Sequence, residues 1–328
     1  MCCWRSAAGS AWPPLSASRR CGSPCCWAPG GCCRRSPPGE WWCRVAEPGL
    51  AGLAAEGRAA RALWGLRAYG LIVRMWVRST LAYRTSFAIV AAVSFVTTFL
   101  DFAAIMIMFA HVDALGGFSL PEVAFLYGTS SVAFGLSDLL LGNLERVGAR
   151  VRDGTMDVLL LRPVPVLSQI AADRFALRRL SRVTQGGLVL GWALLRLELD
   201  WTPLKALMVV MMVVCGAAIF GSVFVAGAAF QFFAQDAAEV QSAFTYGGTT
   251  LLQYPPTIFA KDLVRGVTFV VPLAFVNWLP ALRVLGRDDP LALPGWVDFA
   301  APAVALLCCA LSGLAWRAGL RAYRSTGS

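Results

Sequence analysis

Between residues 86 and 110 the chain runs for 25 residues with a single charge, Asp101. At about 1.5 Å per residue, that exceeds the roughly 20 residues a helix needs to cross the hydrocarbon core of a bilayer. In that core every backbone N–H and C=O must be bonded internally, so the run has to be helical. Similar runs follow at 123–142, 204–232 and 297–316, and a fifth, 169–199, begins amphipathic and ends apolar. Hydrophobic residues make up 57% of the chain and charged residues only 15%, with a mean hydropathy of +0.62. A soluble domain of this length would carry more charge. The net charge of +10 does not point to nucleic acid, because the arginines cluster beside the apolar runs, as the positive-inside rule requires of a membrane protein.

Arginine placement sets the expected orientation. Five lie in 61–84, eight in 143–182, and Arg317, Arg321 and Arg324 near the C-terminus, whereas the short loops 111–120 and 197–203 hold none. The basic segments therefore face the cytoplasm, with both termini inside and an even number of spans. Six spans fit. The stretch 236–286 holds two moderately apolar pieces, 240–259 and 264–285, interrupted by Pro255, Pro256, Pro272 and Pro280. The favoured reading makes 236–259 the fifth span and 264–285 a re-entrant outer hairpin; the reverse also gives six. Irregular backbone at that depth must be buried in protein or line a cavity.

Residues 61–84 read as an amphipathic interfacial helix, with Arg67, Arg74 and Arg78 on one face and Tyr69, Ile72, Val73 and Trp76 on the other. Its expected partner is membrane lipid. Residues 45–60 are a linker to it. Residues 1–44 hold eight of the eleven cysteines amid Trp, Arg, Pro and Gly without periodicity. They read as a stretch translated upstream of a true start near Val45, the alternatives being a disordered tail and a metal module.

The chain lacks the parts of most enzymes. No G-x-x-x-x-G-K-[ST] phosphate loop occurs, since neither Lys205 nor Lys261 follows a glycine. His111 is the only histidine, which argues against a histidine metal site or a Ser-His pair. No catalytic residue, metal or cofactor is expected on this chain. Two acids lie within apolar runs, Asp101 and Asp138. A carboxylate in lipid costs several kcal/mol, so each should face the bundle, a cavity or a partner. Both are candidate pathway or helix-interface residues, with Asp138 close enough to the cytoplasmic end to meet water.

The long basic loop, 143–168, contains Arg146, Arg150 and Arg152-Asp153-Gly154-Thr155-Met156-Asp157, then Leu159, Leu161, Arg162 and Pro163. Gly154 suits a helix C-cap and Pro163 a helix end, which makes a compact helical finger with charged and apolar faces, fit to dock on a soluble partner. Three stretches carry a resemblance: Gly116-Gly117-Phe118 with Glu122 and Tyr127; Arg152 to Pro163; and Tyr254-Pro255, Ile258-Phe259, Pro272 to Phe275 and Pro280-Ala281. Over residues 61–324 the chain resembles the membrane subunits of type-two ATP-binding-cassette (ABC) exporters, closest to bacterial permeases that pair with a second permease and a drug-exporter-like ATPase. The doubled proline Pro255-Pro256 departs from the usual pattern.

The resemblance implies an all-α polytopic permease domain over 86–328, of about six transmembrane helices. An elbow helix would precede it, a coupling helix in 143–168 would sit in a cleft of the ATPase, and an outer hairpin over 260–286 would cap the pathway. It also implies a bacterial plasma-membrane exporter of two permeases, as a heterodimer or a homodimer, and two ATPases, with ATP and Mg on the ATPase chains. Arg146, Arg150, Arg152, Asp157 and Arg162 would be charged coupling contacts, and Leu159 and Leu161 an apolar anchor. The substrate class left open spans amphipathic drugs, lipids and organic cations, and Asp101 leans towards cations. A lipid-modifying membrane enzyme or a scaffold for an ATPase are the competing readings.

Overall fold

The structure is a computed structural model that describes backbone at residues 32–35, 41–44, 58–197, 200–234, 237–287 and 291–323, and side chains from Leu63 onward. Most of the stretch assigned to a displaced start, and Arg324, lie outside the described residues. Two units are distinguished, 1–62 and 63–328. The first contains a short antiparallel hairpin of β1 (Cys32–Arg35) and β2 (Trp41–Arg44).

The second unit is helical. Helix α1 (Arg58–Ala82) carries the amphipathic face expected of it: Tyr69, Ile72, Val73 and Trp76 are half-buried, while Arg67, Arg74 and Arg78 are exposed. After Tyr83 the chain turns into α2 (Arg84–Phe109), then α3 (Leu120–Leu141), α4 (Val147–Arg152), α5 (Thr155–Leu160) and α6 (Val166–Ala172). Helices α7 (Leu180–Arg196) and α8 (Pro203–Phe230) follow. Next come α9 (Ala238–Ser242) and α10 (Gly248–Leu252), joined through a π-turn at Ala243–Gly247. The last helices are α11 (Lys261–Phe269), α12 (Trp278–Leu285) and α13 (Ala301–Ala322).

Among the described residues four helical stretches are long and apolar enough to cross a membrane: α2, α3 with its continuation to Arg152, α8 and α13. The pair α11 and α12 makes a fifth if counted as one span, although it is bent by 83° at the Pro272 break. The six-span expectation also counted 169–199 and 236–259, and both are shorter than expected. The first is broken between α6 and α7, where Arg174 takes a positive φ of 49°, so its amphipathic start is a separate helix. The 17 residues of α7 cover about 26 Å, short of the ~30 Å core unless the bilayer thins or flanking side chains reach out. The second ends at Leu252, because the residue before Pro255 is pushed out of the helical region.

Helix α3 is the centre of the bundle. Of its most apolar stretch 78% is buried, against 11% for α2 and 22% for α13, whose apolar faces look outward. It packs against α7 and α8, and α8 packs against α13. The α3–α7 approach depends on Gly128: a Cβ there would lie 2.8 Å from the Leu190 backbone. Small residues are what let helix backbones come this close in lipid, where the hydrophobic effect no longer drives association. An aromatic cluster fills the middle, with Phe134 5.3 Å from Phe220, 6.0 Å from Phe224 and 5.0 Å from Tyr246.

Candidate functional site

Three groups of residues stand out, at the two ends of the bundle and between them. At the basic end, α3 continues through a 3₁₀ turn, Gly142–Arg146, into the finger of α4 and α5. Gly154 between them takes φ +65°, the left-handed cap that its sequence position predicts. The finger is tied to the bundle by buried amides. Gln169 donates to the carbonyls of Leu159 (3.0 Å) and Val164 (2.8 Å). Gln231, at the end of α8, accepts from the Gly148 N–H at 2.6 Å and donates to Gln241 at 2.6 Å. Arg150 pairs with Asp173. The Tyr323 hydroxyl donates to Asp157 at 2.8 Å. Burial, with the hydrogen bond and charge of Asp157, pushes that phenol to about 12, so it stays a donor.

The coupling candidates thus divide. Arg146, Arg152, Leu161, Arg162 and Pro163 are exposed, Leu161 by 87%. Arg150 and Asp157 hold the finger to its own bundle. Leu159 is buried with Met156, which corrects its pairing with Leu161 as an outward anchor. Residues two apart on a helix do not share a face, whereas three apart they do. The outward apolar surface is Val158 with Leu161, beside Leu160, a set that helical periodicity could have picked out. Asp138 is buried and paired with Arg179 at 3.3 Å, and Arg179 also donates to the Asp138 carbonyl and to Asn143. The Asp138 carboxylate is nearly closed to solvent and lies against Arg179, which precedes α7.

At mid-bundle a polar cavity of about 230 Å³ lies among α2, α3, α7 and the α9–α10 segment. Asp101, Tyr127, Ser131, Arg182, Tyr246 and Gln253 are among its lining residues. Asp101 is roughly 25 Å along α2 from Arg84, at 1.5 Å per residue. Tyr127 donates to the Thr98 carbonyl and shares a hydrogen bond with Gln185. Arg182 sits 5.0 Å over Phe134 and 5.7 Å over Tyr246. Counted in the sequence among the loop arginines, Arg182 is instead part of the bundle wall, stabilised by ring faces. The cavity therefore presents an acid, a cation and neutral donors within one apolar bundle.

At the far end, the turn before α3 is clasped to the proline-broken segment. Glu122 accepts from the backbone and hydroxyl of Ser119 (2.7 and 2.9 Å) and from Arg287 at both oxygens (2.9 and 3.0 Å). Arg287 also stacks 5.3 Å over Phe118. Thr257 donates to the Gly116 carbonyl at 2.9 Å. Gly116 has φ +58°, and a Cβ there would lie 2.5 Å from the Thr257 hydroxyl, so a larger residue would be strained and would push Thr257 aside. Tyr254 accepts from the Trp278 indole N–H at 3.0 Å. Pro255 precedes a 3₁₀ turn, Pro256–Ile258, so the doubled proline starts a turn where each ring is tolerated. Pro272 caps a second turn, Leu273–Phe275, and Pro280 lies in the first turn of α12, where its missing N–H costs nothing. Asn277, fully buried, donates to the carbonyls of Leu126 and Leu252 and accepts from Thr129. Sequence reading passed over it, because a single asparagine carries no pattern.

Among the described residues no three His, Cys, Asp or Glu come together as a metal site. No curated protein and no solved structure matches the chain. The family described as ABC-2 family transporter protein matches residues 95–327. That match takes in all three groups of residues and most of the chain, and the four long apolar helices make it a multi-pass membrane protein. The chain belongs to the ABC-2 family of transporter proteins: it is a multi-pass membrane permease of an ABC-type transporter.

Proposed function

We propose that this permease is one membrane half of an exporter driven by a separate ATPase, with the α4–α5 finger as its docking element and the polar cavity as part of the substrate path. The observation that carries this is the finger itself. Its tip exposes Val158, Leu161, Arg162 and Pro163, while Gln169, Gln231, Arg150 and Asp157 fasten its base to the bundle. A rigid lever with an apolar, cationic tip suits a groove on a soluble partner. ATP would close the ATPase pair, and the finger would carry that movement into α3 and α8. The nucleotide shifts the permease between states only through its different affinity for them.

In this reading the basic end and both termini lie in the cytoplasm of a bacterial cell, and ATP and Mg bind the partner chain. A second permease completes the pathway, and the exposed faces of α2 and α13 are where it or lipid would sit. The cavity favours amphipathic organic cations, since Asp101 is the acid open to it, with Tyr127, Tyr246 and Gln253 supplying hydrogen bonds. The test is affinity purification of the tagged full chain from native membranes in mild detergent, with mass spectrometry of what accompanies it. Wild type should bring an ABC ATPase and a second permease. Leu161→Asp should lose the ATPase while the protein inserts normally, because the side chain is already in solvent. Retention of the ATPase by this variant would remove the finger from the interface.

A further inference from the structure

Where α1 meets α2 the chain folds against the segment between α6 and α7, leaving a cleft of about 340 Å³. Its floor is apolar, built by Phe87, Val90 and Phe175. Its rim is polar and carries no acid: Ser79, Tyr83 and Arg178. Arg178 is exposed and makes no ion pair among the described residues, unlike its neighbour Arg179. In the wall of the same cleft the Trp76 indole N–H is buried with no acceptor. That nitrogen is closed off from the cleft, so the donors available at the rim are Ser79, Tyr83 and Arg178. The cleft sits at the end of α2 that carries Arg84, where an amphipathic helix hands over to a span. That is the headgroup depth of the membrane.

We propose that this cleft binds one anionic phospholipid. The phosphate would sit at Arg178, with Ser79 and Tyr83 donating to its oxygens, and one acyl chain would run over Phe87 and Val90. A neutral apolar ligand would leave the cation and the donors unanswered, and a peptide would need acids that match the rim at a depth where peptides do not sit. The bound lipid would wedge the elbow against the α6–α7 segment and so fix the angle at which α1 meets the bundle.

The experiment uses the full chain in vesicles of phosphatidylcholine doped with a photoactivatable phosphatidylglycerol, with adducts mapped by mass spectrometry. Labelling is expected at Phe87, Val90 or Phe175. Arg178→Ala should cut it about fivefold, which corresponds to the ~1 kcal/mol that one arginine contributes beside an anionic lipid, and Arg178→Lys should retain most of it. Val90→Trp, which fills the floor, should abolish it. Equal labelling of wild type and Arg178→Ala, equal labelling by a photoactivatable phosphatidylcholine, or adducts confined to other surfaces would each overturn the proposal. Loss of labelling on adding soluble glycerol phosphate would place the ligand in solution rather than in the bilayer, and would overturn it as well.

Discussion

Replacing Asn277 by leucine tests whether the clasped end is held by buried polar groups or by packing alone. The side chain is fully buried and makes three hydrogen bonds, at 2.9, 3.0 and 2.8 Å. They are not equal. The Leu126 carbonyl also accepts from Ser130, and Thr129 also donates to the Phe125 carbonyl, so both keep a partner in the variant. The Leu252 carbonyl lies at the end of α10, where helix carbonyls have no intrahelical donor. Stranding it in the bundle costs roughly 1–3 kcal/mol. The other two bonds, at the ~0.6 kcal/mol typical between helices in membranes, add about 1 kcal/mol. The sum is near 3 kcal/mol, which lowers Tm by roughly 6–12 °C at the usual ~2–4 °C per kcal/mol. Tryptophan fluorescence of the purified protein in detergent would follow the melt. Thr129→Val and the double variant complete a cycle, and the double should cost less than the sum because the two share a bond. A fall in Tm of under 2 °C, or strict additivity, would refute the reasoning and leave the end of the bundle to packing.

Arg287→Ala should also destabilise, but by only about 1 kcal/mol, because the arginine is 43% exposed and solvent screens the pair with Glu122. The deficit relative to wild type should shrink at high salt, and salt-independence would contradict an ionic clasp. Gly128→Ala should lower stability by about 1–3 kcal/mol as α7 is forced away, whereas Gly187→Ala, with nothing within 4 Å of the added methyl, should be neutral or slightly stabilising. Equal effects would mean that the α3–α7 approach is looser than the geometry requires. Tyr323→Phe should keep the fold but uncouple the finger from α13, seen as faster hydrogen exchange at Thr155–Leu160. Unchanged exchange would show that the ties through Gln169, Gln231 and Arg150 hold it without Tyr323.

Much of this architecture was legible in the chain. The spans follow from apolar length, because backbone groups in hydrocarbon can be satisfied only within a helix. The finger follows from Gly154 and Pro163, because each imposes a backbone conformation by its own covalent geometry. Periodicity separates Met156 and Leu159 from Val158 and Leu161, but which of the two apolar faces turns to the bundle is decided only by packing. Leu159 and Leu161 look alike in sequence, and only the packing of Met156 against the bundle sends one in and the other out. Arg182 is one of eight arginines in a basic stretch until the fold lays it over Phe134 and Tyr246. Glu122 and Arg287 lie 165 positions apart, and Asn277 meets Leu126 across 151. Local residue preferences act over a few positions and fix where helices begin, end and turn. Pairings between distant side chains, and the cavity and cleft they enclose, exist only once those helices are packed.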